Sequence, residues 1–319
     1  MKNIFDMKSI KPYLIWDRNG WVGHIHPDID EKKLRYLLDN LDTIQSTYTP
    51  FWKDVARTRL LYDLKPEDEI HDSGPQILKI NYPPRRHRIW NRLIGSYAAF
   101  GFRNSCEIAI NGFPYITHYA VLEKKENGAL VQSVMIFQKI QPFTFGGTYL
   151  LCGFEKKEHI DPPATRLPRI KQFATIVSEM HQRGIFHLDL GNYNILVADQ
   201  ENTPCFYFID LDYMTVTHRQ SGFIYKLFQL FDLLIMNVMF RNDLYLRDKL
   251  RFLSFYFNEP VRKIPFINQI RWVIDHREQF RSQWFFRIMQ LTRKLAYLFH
   301  LVKHPQIPVV ARDQKKNEA

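Results

Sequence analysis

Between residues 187 and 210 the chain reads HLDLGNYNIL, then a polar turn, then CFYFID. This stretch constrains the fold more tightly than any other. The run from Tyr193 to Val197 and the run from Cys205 to Ile209 are apolar and strand-like. The polar segment from Ala198 to Pro204 joins them as a predicted hairpin. Closing the hairpin brings Asp210, at the end of the second strand, beside Asn194, at the start of the first. Asp189 lies five residues before Asn194, so a tight loop puts both on one rim. Two carboxylates and an amide then share one end of the hairpin, and such hard oxygen donors suit a divalent ion. Asp189 and Asp210 could each be explained as a turn cap. That reading does not account for His187, Asp189, Asn194, the hairpin and Asp210 occurring together.

The same spacing is the one by which kinase-like folds hold a nucleotide's metal ions and orient an acceptor hydroxyl. The expected chemistry is phosphoryl transfer, in which a protein mainly positions groups and neutralises charge. Asp189 is the expected catalytic residue, placed near the attacking hydroxyl. Asn194 and Asp210 are the expected Mg²⁺ ligands, and ATP the expected co-substrate. Upstream, Ile170, Phe173, Ala174, Val177 and Met180 recur at helical spacing between Pro168 and Arg183, and Gly184 follows as a stop. A helix running directly into the H-x-D segment fits the C-lobe of such a fold. His187 is expected to pack beneath the metal-binding Asp rather than to act in catalysis.

The N-terminal half supplies the other parts. Pro75 to Asn81 reads as a strand carrying Lys79, the residue expected to reach the phosphates. An earlier strand, Thr58 to Leu64, is expected to pair with it. A helix from about Gly95 to Asn111 should follow, then strands over 117–123 and 130–138 that turn at Glu126-Asn127-Gly128. Residues 138–141 would be the hinge.

The block from Leu78 to Lys124 resembles the lipopolysaccharide core kinases, the Kdo and heptose kinases of Gram-negative bacteria. The shared elements are Lys79, the basic Pro-containing segment from Pro83 to Arg92, Gly95-Ser96, Arg103-Asn104, Gly112-Phe113-Pro114 and Glu123-Lys124. With the H-x-D segment and I-D-L-D, the resemblance covers about residues 50–240. It implies ATP-dependent phosphorylation of a sugar hydroxyl in the lipopolysaccharide inner core, at the cytoplasmic face of the inner membrane. The enzyme class implied is a phosphotransferase with an alcohol acceptor.

The chain departs from the family pattern in two places. Gly101 stands where the family helix carries the Glu that pairs with the strand Lys, and Glu107 lies too far along the helix to share that face. No Gly-rich phosphate loop is visible. The segment Thr49 to Thr58 occupies its place, and there Lys53 and Arg57 are the expected phosphate contacts. Relative to protein kinases, Leu188 replaces the Arg that would hold a phosphorylated activation loop. Gly191 replaces the Lys beside the transferred phosphate. Both changes favour a small-molecule or glycan acceptor.

The expected fold is therefore α+β and two-lobed, protein-kinase-like, with a small antiparallel-sheet N-lobe and a mainly helical C-lobe. The expected boundaries are 1–45 as an N-terminal extension of unknown role, 46–141 as the N-lobe and 142–319 as the C-lobe. Charge is uneven: residues 241–319 carry 16 Lys and Arg against 7 Asp and Glu, within a net charge of +11 for the chain. A basic, partly apolar helix is expected from Arg277 to His304. With Arg85, Arg86, Arg88 and Arg92 it suits anionic core sugars or an anionic membrane surface. No nucleic-acid recognition motif is seen, and none is expected as a partner. Three irregularly spaced cysteines fit a reducing compartment. The longest apolar stretch, from Phe223 to Phe240, is interrupted by Lys226, Gln229, Asp232 and Asn237, so it reads as a buried helix. The expectation is a cytoplasmic protein, peripheral at the inner face of the membrane. Three alternatives stay open at this point: another sugar or small-molecule kinase of the same fold, a non-catalytic pseudokinase that binds an anionic glycan, and a basic nucleic-acid-binding protein, which salt-sensitive binding to random duplex would reveal.

Overall fold

A computed structural model gives the fold and describes residues 12–53, 59–83, 96–154, 160–217, 222–239, 245–264, 267–268, 291 and 309–310. Arg57, the four arginines between 85 and 92, and all but Leu291 of the helix expected over 277–304 lie outside the described residues. The chain divides into two units. One comprises Met1–Ile140 with Pro305–Ala319, and the other Gln141–His304.

The first unit is built on strands β1 (Tyr13–Arg18), β2 (Trp21–Ile25), β3 (Trp52–Lys53), β4 (Arg59–Asp63), β5 (Gln76–Asn81), β6 (His118–Glu126) and β7 (Ala129–Gln138). Its helices are α1 (Glu31–Asp39), α2 (Leu41–Thr47) and α3 (Tyr97–Ile110). Residues 309–310 return as an eighth strand. The sheet order is 309–310, β1, β2, β6, β7, β5, β4, β3. All these pairings are antiparallel except that of 309–310 with β1. The first 45 residues thus supply two strands and most of two helices to this unit, where the sequence indicated only an extension.

Alternation along the strands sorts the two sheet faces. Leu78, Ile80, Ala120, Leu122, Val134 and Ile136 face one way and bury Leu34, Leu37, Leu41 and Ile44 of α1 and α2. Each such side chain contributes roughly 1.5–3 kcal/mol by leaving water. Val121 and Met135 face the other way, against Ala98, Phe102 and Cys106 of α3. Asp30 caps α1 by accepting the N–H groups of Lys32 and Lys33. Ser96 caps α3 through Ala99 N–H at 3.0 Å, and its own N–H donates to Glu123 Oε1 at 3.1 Å. That second bond fixes the start of α3 against β6.

The second unit contains β8 (Thr144–Phe145), α4 (Gly146–Cys152), α5 (Pro163–Gln182), β9 (Ile185–Phe186), β10 (Ile195–Gln200), β11 (Thr203–Phe208), β12 (Thr215–Val216), α6 (Phe223–Met239) and α7 (Leu246–Phe257). Helix α5 starts earlier than its periodicity suggested, because Pro163 is tolerated in the first turn, where an N–H has no helical partner. The residues of the expected apolar stripe, Ile170, Phe173, Ala174, Val177 and Met180, are all buried. A buried ion pair, Arg166 to Asp248 at 2.7 Å, ties α5 to α7. Gly184 ends the α5 connection at φ +76°, and a Cβ there would lie 2.1 Å from the Thr217 carbonyl oxygen. Only glycine fits, and the close approach is used: Gly184 O accepts Thr217 N–H at 2.8 Å, which seats β12 against β9.

Candidate active site

The segment from His187 to Asn194 enters from β9 and leaves into β10. Leu188 sits at φ +58°, a left-handed conformation that costs a non-glycine residue about 1–2 kcal/mol. What offsets this strain is Asp232, on α6 and fully buried. Its Oδ1 accepts the Leu188 N–H at 2.6 Å and its Oδ2 the His187 N–H at 2.7 Å. His181 Nε2 meets the same Oδ2 at 3.1 Å. The other His181 nitrogen, Nδ1, contacts Tyr256 OH at 2.6 Å, and Gln229 Nε2 donates to that hydroxyl at 2.8 Å. Burial raises the Tyr256 hydroxyl pKa, so it stays an O–H and donates to Nδ1. Nε2 then carries the proton that faces Asp232. A buried carboxylate with three donors is satisfied as burial demands. The sequence marked Asp232 only as a polar break in an apolar stretch. Its partners are 44, 45 and 51 residues away, and no local pattern announces them.

This anchor sets the positions of the residues that follow. Asn194 Nδ2 donates to the Asp189 carbonyl at 2.8 Å, so the loop closes on itself. Asn194 O accepts the Ile209 N–H at 2.9 Å, which puts Asp210 at the next position beside Asn194. His187 is fully buried and its Nε2 lies 3.0 Å from the Ile209 carbonyl, joining the loop to the strand before Asp210. Asp210 itself is left-handed at φ +56°, where the chain turns out of β11. The expected hairpin forms, with Ile195 opposite Phe208 and Gln200 opposite Thr203, but its strands run on through the segment expected as the turn and leave only Glu201 and Asn202 between them. Asp189, Asn194 and Asp210 are therefore brought together, each partly exposed. With Nδ2 committed to Asp189, the acceptor left on Asn194 is its amide oxygen. That oxygen and the Asp210 carboxylate are both hard donors of the kind a magnesium ion takes.

Lys79 and Lys53 belong to the first unit. Lys79 lies on β5 between the fully buried Leu78 and Ile80, so its side chain leaves from the α3 face. Register carries that face to Leu61 and then to Trp52. Lys53 pairs with Leu60, which pairs with Ile80, so Lys53 stands on the opposite face at the sheet edge. Burial, against a hydrogen bond to the Ile116 backbone carbonyl and with help from the Lys79 charge, lowers His118 to about 4.

A separate group, His26, Asp28 and His71, brings one ligand atom each within 4.8 Å of the others. Both imidazoles already accept a backbone N–H at Nδ1, from Asp28 at 3.4 Å and Ser73 at 3.0 Å. Their protons then sit on Nε2, the wrong tautomer for Nε2 ligation. The stacking of His71 on Tyr119, with ring centroids 4.5 Å apart, gives these residues a packing role.

Comparison with known proteins bears on this geometry. Residues 102–256 match the sequence model of the lipopolysaccharide kinase (Kdo/WaaP) family. A search of curated protein sequences finds no match. Among solved structures, WaaP in complex with acyl carrier protein aligns with a TM-score of 0.51 at 19% identity, over 76% of this chain and 93% of that one. The granulovirus kinase PK-1 of Cydia pomonella aligns with a TM-score of 0.39 at 13% identity, over 66% of this chain and 75% of that one. A MAP kinase of Leishmania major aligns with a TM-score of 0.39 at 15% identity, over 70% and 67% respectively. The fold is the kinase-like α+β fold, with an antiparallel-sheet first unit and a mainly helical second one. The stretch that matches the family model, Phe102 to Tyr256, contains Asp189, Asn194, Asp210 and Asp232.

Proposed function

We propose that this chain transfers the terminal phosphoryl group of ATP to a hydroxyl of an inner-core sugar, Kdo or heptose, of lipopolysaccharide. The observation that carries the reading is the hydrogen-bonded cluster in which Asn194 Nδ2 meets Asp189 O and Asn194 O meets the Ile209 N–H. It supports a carboxylate for the acceptor on the loop, and an amide-carboxylate pair for a cation where that loop meets the end of β11.

In this reading the Asp189 carboxylate accepts the hydrogen bond of the acceptor hydroxyl, orients its oxygen, and takes up its proton as that oxygen attacks. The products are a sugar phosphate and ADP. Asn194 Oδ1 and the Asp210 carboxylate would hold Mg²⁺, which when bound neutralises triphosphate charge. Lys79 is assigned to the phosphates. Lys53 and Arg57 are proposed as further phosphate contacts. Asp232 holds the Asp189 loop in its strained form, so it positions the catalytic carboxylate without touching the substrate.

The acceptor is a lipid-borne sugar. The excess of basic residues over 241–319 fits an anionic membrane surface at the inner face of the membrane. Among the described residues no helix is long and apolar enough to cross a membrane.

The test incubates the protein with labelled ATP and a panel of truncated core lipopolysaccharides, with Asp189→Asn as control. Label is expected on one truncation class and to fall by about 10²–10⁴-fold in the control. No labelled acceptor, or a control as fast as the parent, refutes the reading. Label on a small amine or alcohol alone would reassign the enzyme to another branch of the fold.

A further inference from the structure

Beside the Asp189 loop, three aromatic rings stand in a row on the surface of the second unit. Tyr193 is 71% exposed and Phe143 is 41% exposed, with Phe145 half-buried between them. Phe143 meets Phe145 edge-to-face at 5.4 Å and 77°, and Phe145 meets Tyr193 edge-to-face at 5.2 Å and 81°. Edge-to-face contacts at these distances are favourable, so the rings hold one another in place.

The row is also fixed from below. Phe145 lies on β8, which pairs with β10 directly after the loop, Phe145 opposite Leu196. Tyr193 is the middle residue of the 3₁₀ turn from Asn192 to Asn194. Asn192 is buried, and its Oδ1 accepts the Gly147 N–H at 2.5 Å, which clamps the turn to the start of α4. The neighbours of Tyr193 on both sides are committed to the interior or to the loop, while its own ring is left in water. Exposing rings in a preorganised row forfeits hydrophobic free energy unless a ligand covers them.

The geometry points to a sugar-binding ledge: we infer that Phe143, Phe145 and Tyr193 take the apolar C–H face of the acceptor pyranose and present its hydroxyl to Asp189. This rests on the acceptor reading given above and deepens it. Two features select a sugar. The row adjoins Asp189, the group that receives the acceptor's proton, four residues away along the same loop. It also carries no charge, and its single polar atom is the Tyr193 hydroxyl, so it suits an uncharged ring face and not a phosphate. A pyranose offers such a face, with hydroxyls at its edge for the phenol and the loop to reach.

The experiment uses the full chain with a deacylated core oligosaccharide, and with the acylated form as a second arm. Steady-state transfer and turnover-independent binding by saturation-transfer NMR are measured for Tyr193→Ala, Phe143→Ala, Tyr193→Phe and Tyr193→Trp. Tyr36→Ala, an exposed tyrosine on α1, serves as control. In Tyr193→Ala and Phe143→Ala the acceptor KM is expected to rise about five- to tenfold and the saturation transfer to the sugar protons to fall with it. Tyr193→Trp and Tyr193→Phe should restore most of both, and the ATP KM should stay at its parent value. Unchanged acceptor KM and unchanged NMR binding overturn the ledge. A rise in the ATP KM alone overturns it in favour of nucleotide stacking. An effect seen only with acylated substrate overturns it in favour of a lipid contact. If no acceptor is phosphorylated but the oligosaccharide binds and Tyr193→Ala abolishes that binding, the ledge stands and the transfer reading falls.

Discussion

Replacing Asp232 by Asn keeps shape and volume but removes one oxygen and the charge. The best the amide can do is place its oxygen where Oδ2 was, keeping the His187 N–H at 2.7 Å and His181 Nε2 at 3.1 Å. Its NH₂ then faces the Leu188 N–H, a donor opposite a donor at 2.6 Å. One charge-assisted hydrogen bond is lost, worth about 1.5–3 kcal/mol, and a buried N–H is stranded at about 1–3 kcal/mol. The sum is roughly 2.5–6 kcal/mol, or a fall of roughly 1–2.5 M in the urea midpoint for a slope near 2.5 kcal/mol per molar. The loss lands where the backbone is strained, so Leu188 should relax out of its left-handed conformation and carry Asp189 with it. A displacement near 1 Å is enough to lower turnover on the order of 100-fold. Urea unfolding and phosphoryl transfer, measured on the same preparation, check both halves. A variant within about 1 kcal/mol of the parent and with full turnover would show that Asp232 does not hold the loop.

Three further outcomes follow from the geometry. Asp210→Asn keeps an oxygen but drops a charge, so the half-saturating Mg²⁺ concentration should rise about tenfold or more in a metal titration of activity. Gly184→Ala places a methyl 2.1 Å from the Thr217 carbonyl at φ +76°, and should cost at least about 2 kcal/mol by denaturant unfolding. His118 has its folded pKa lowered to about 4 from 6.5, so below pH 6.5 the unfolded chain binds a proton that the folded one refuses. Stability should therefore fall as pH drops from 6.5 towards 4, at up to about 1.4 kcal/mol per pH unit, and His118→Gln should flatten that slope in unfolding curves taken across the range.

The parts of this molecule that could be read from the sequence are those governed by near neighbours. The hairpin from Ile195 to Phe208 follows from two apolar runs and the polar turn between them, and placing Asn194 beside Asp210 is a consequence of closing it. The α5 stripe follows from 3.6-residue periodicity and the stop at Gly184. What could not be read depends on distant pairing. Strand β2 finds its partner in β6, about a hundred residues on, and nothing in WVGHI specifies that neighbour. Asp232 is the same case for the site: a side chain on one helix bonded to backbone amides more than forty residues earlier. The sidedness of Lys53 was hidden for a different reason. Strand β3 has only two residues, too few for an alternating pattern to show which face each takes.

The parallel pairing of residues 309–310 with β1 also bears on how the protein is made. Synthesis runs from the first strand towards the last, at about 5–20 residues per second. Strand β1 can pair with β2 within seconds, but its other edge waits for a partner encoded some 290 residues later. That interval is roughly 15–60 s at those rates. During it, the nascent chain carries an open strand edge, the feature most prone to pairing with a neighbour. Crowding on a polysome would therefore tax this protein more than one whose edges close in order, because β1 cannot close until residues 309–310 have been made.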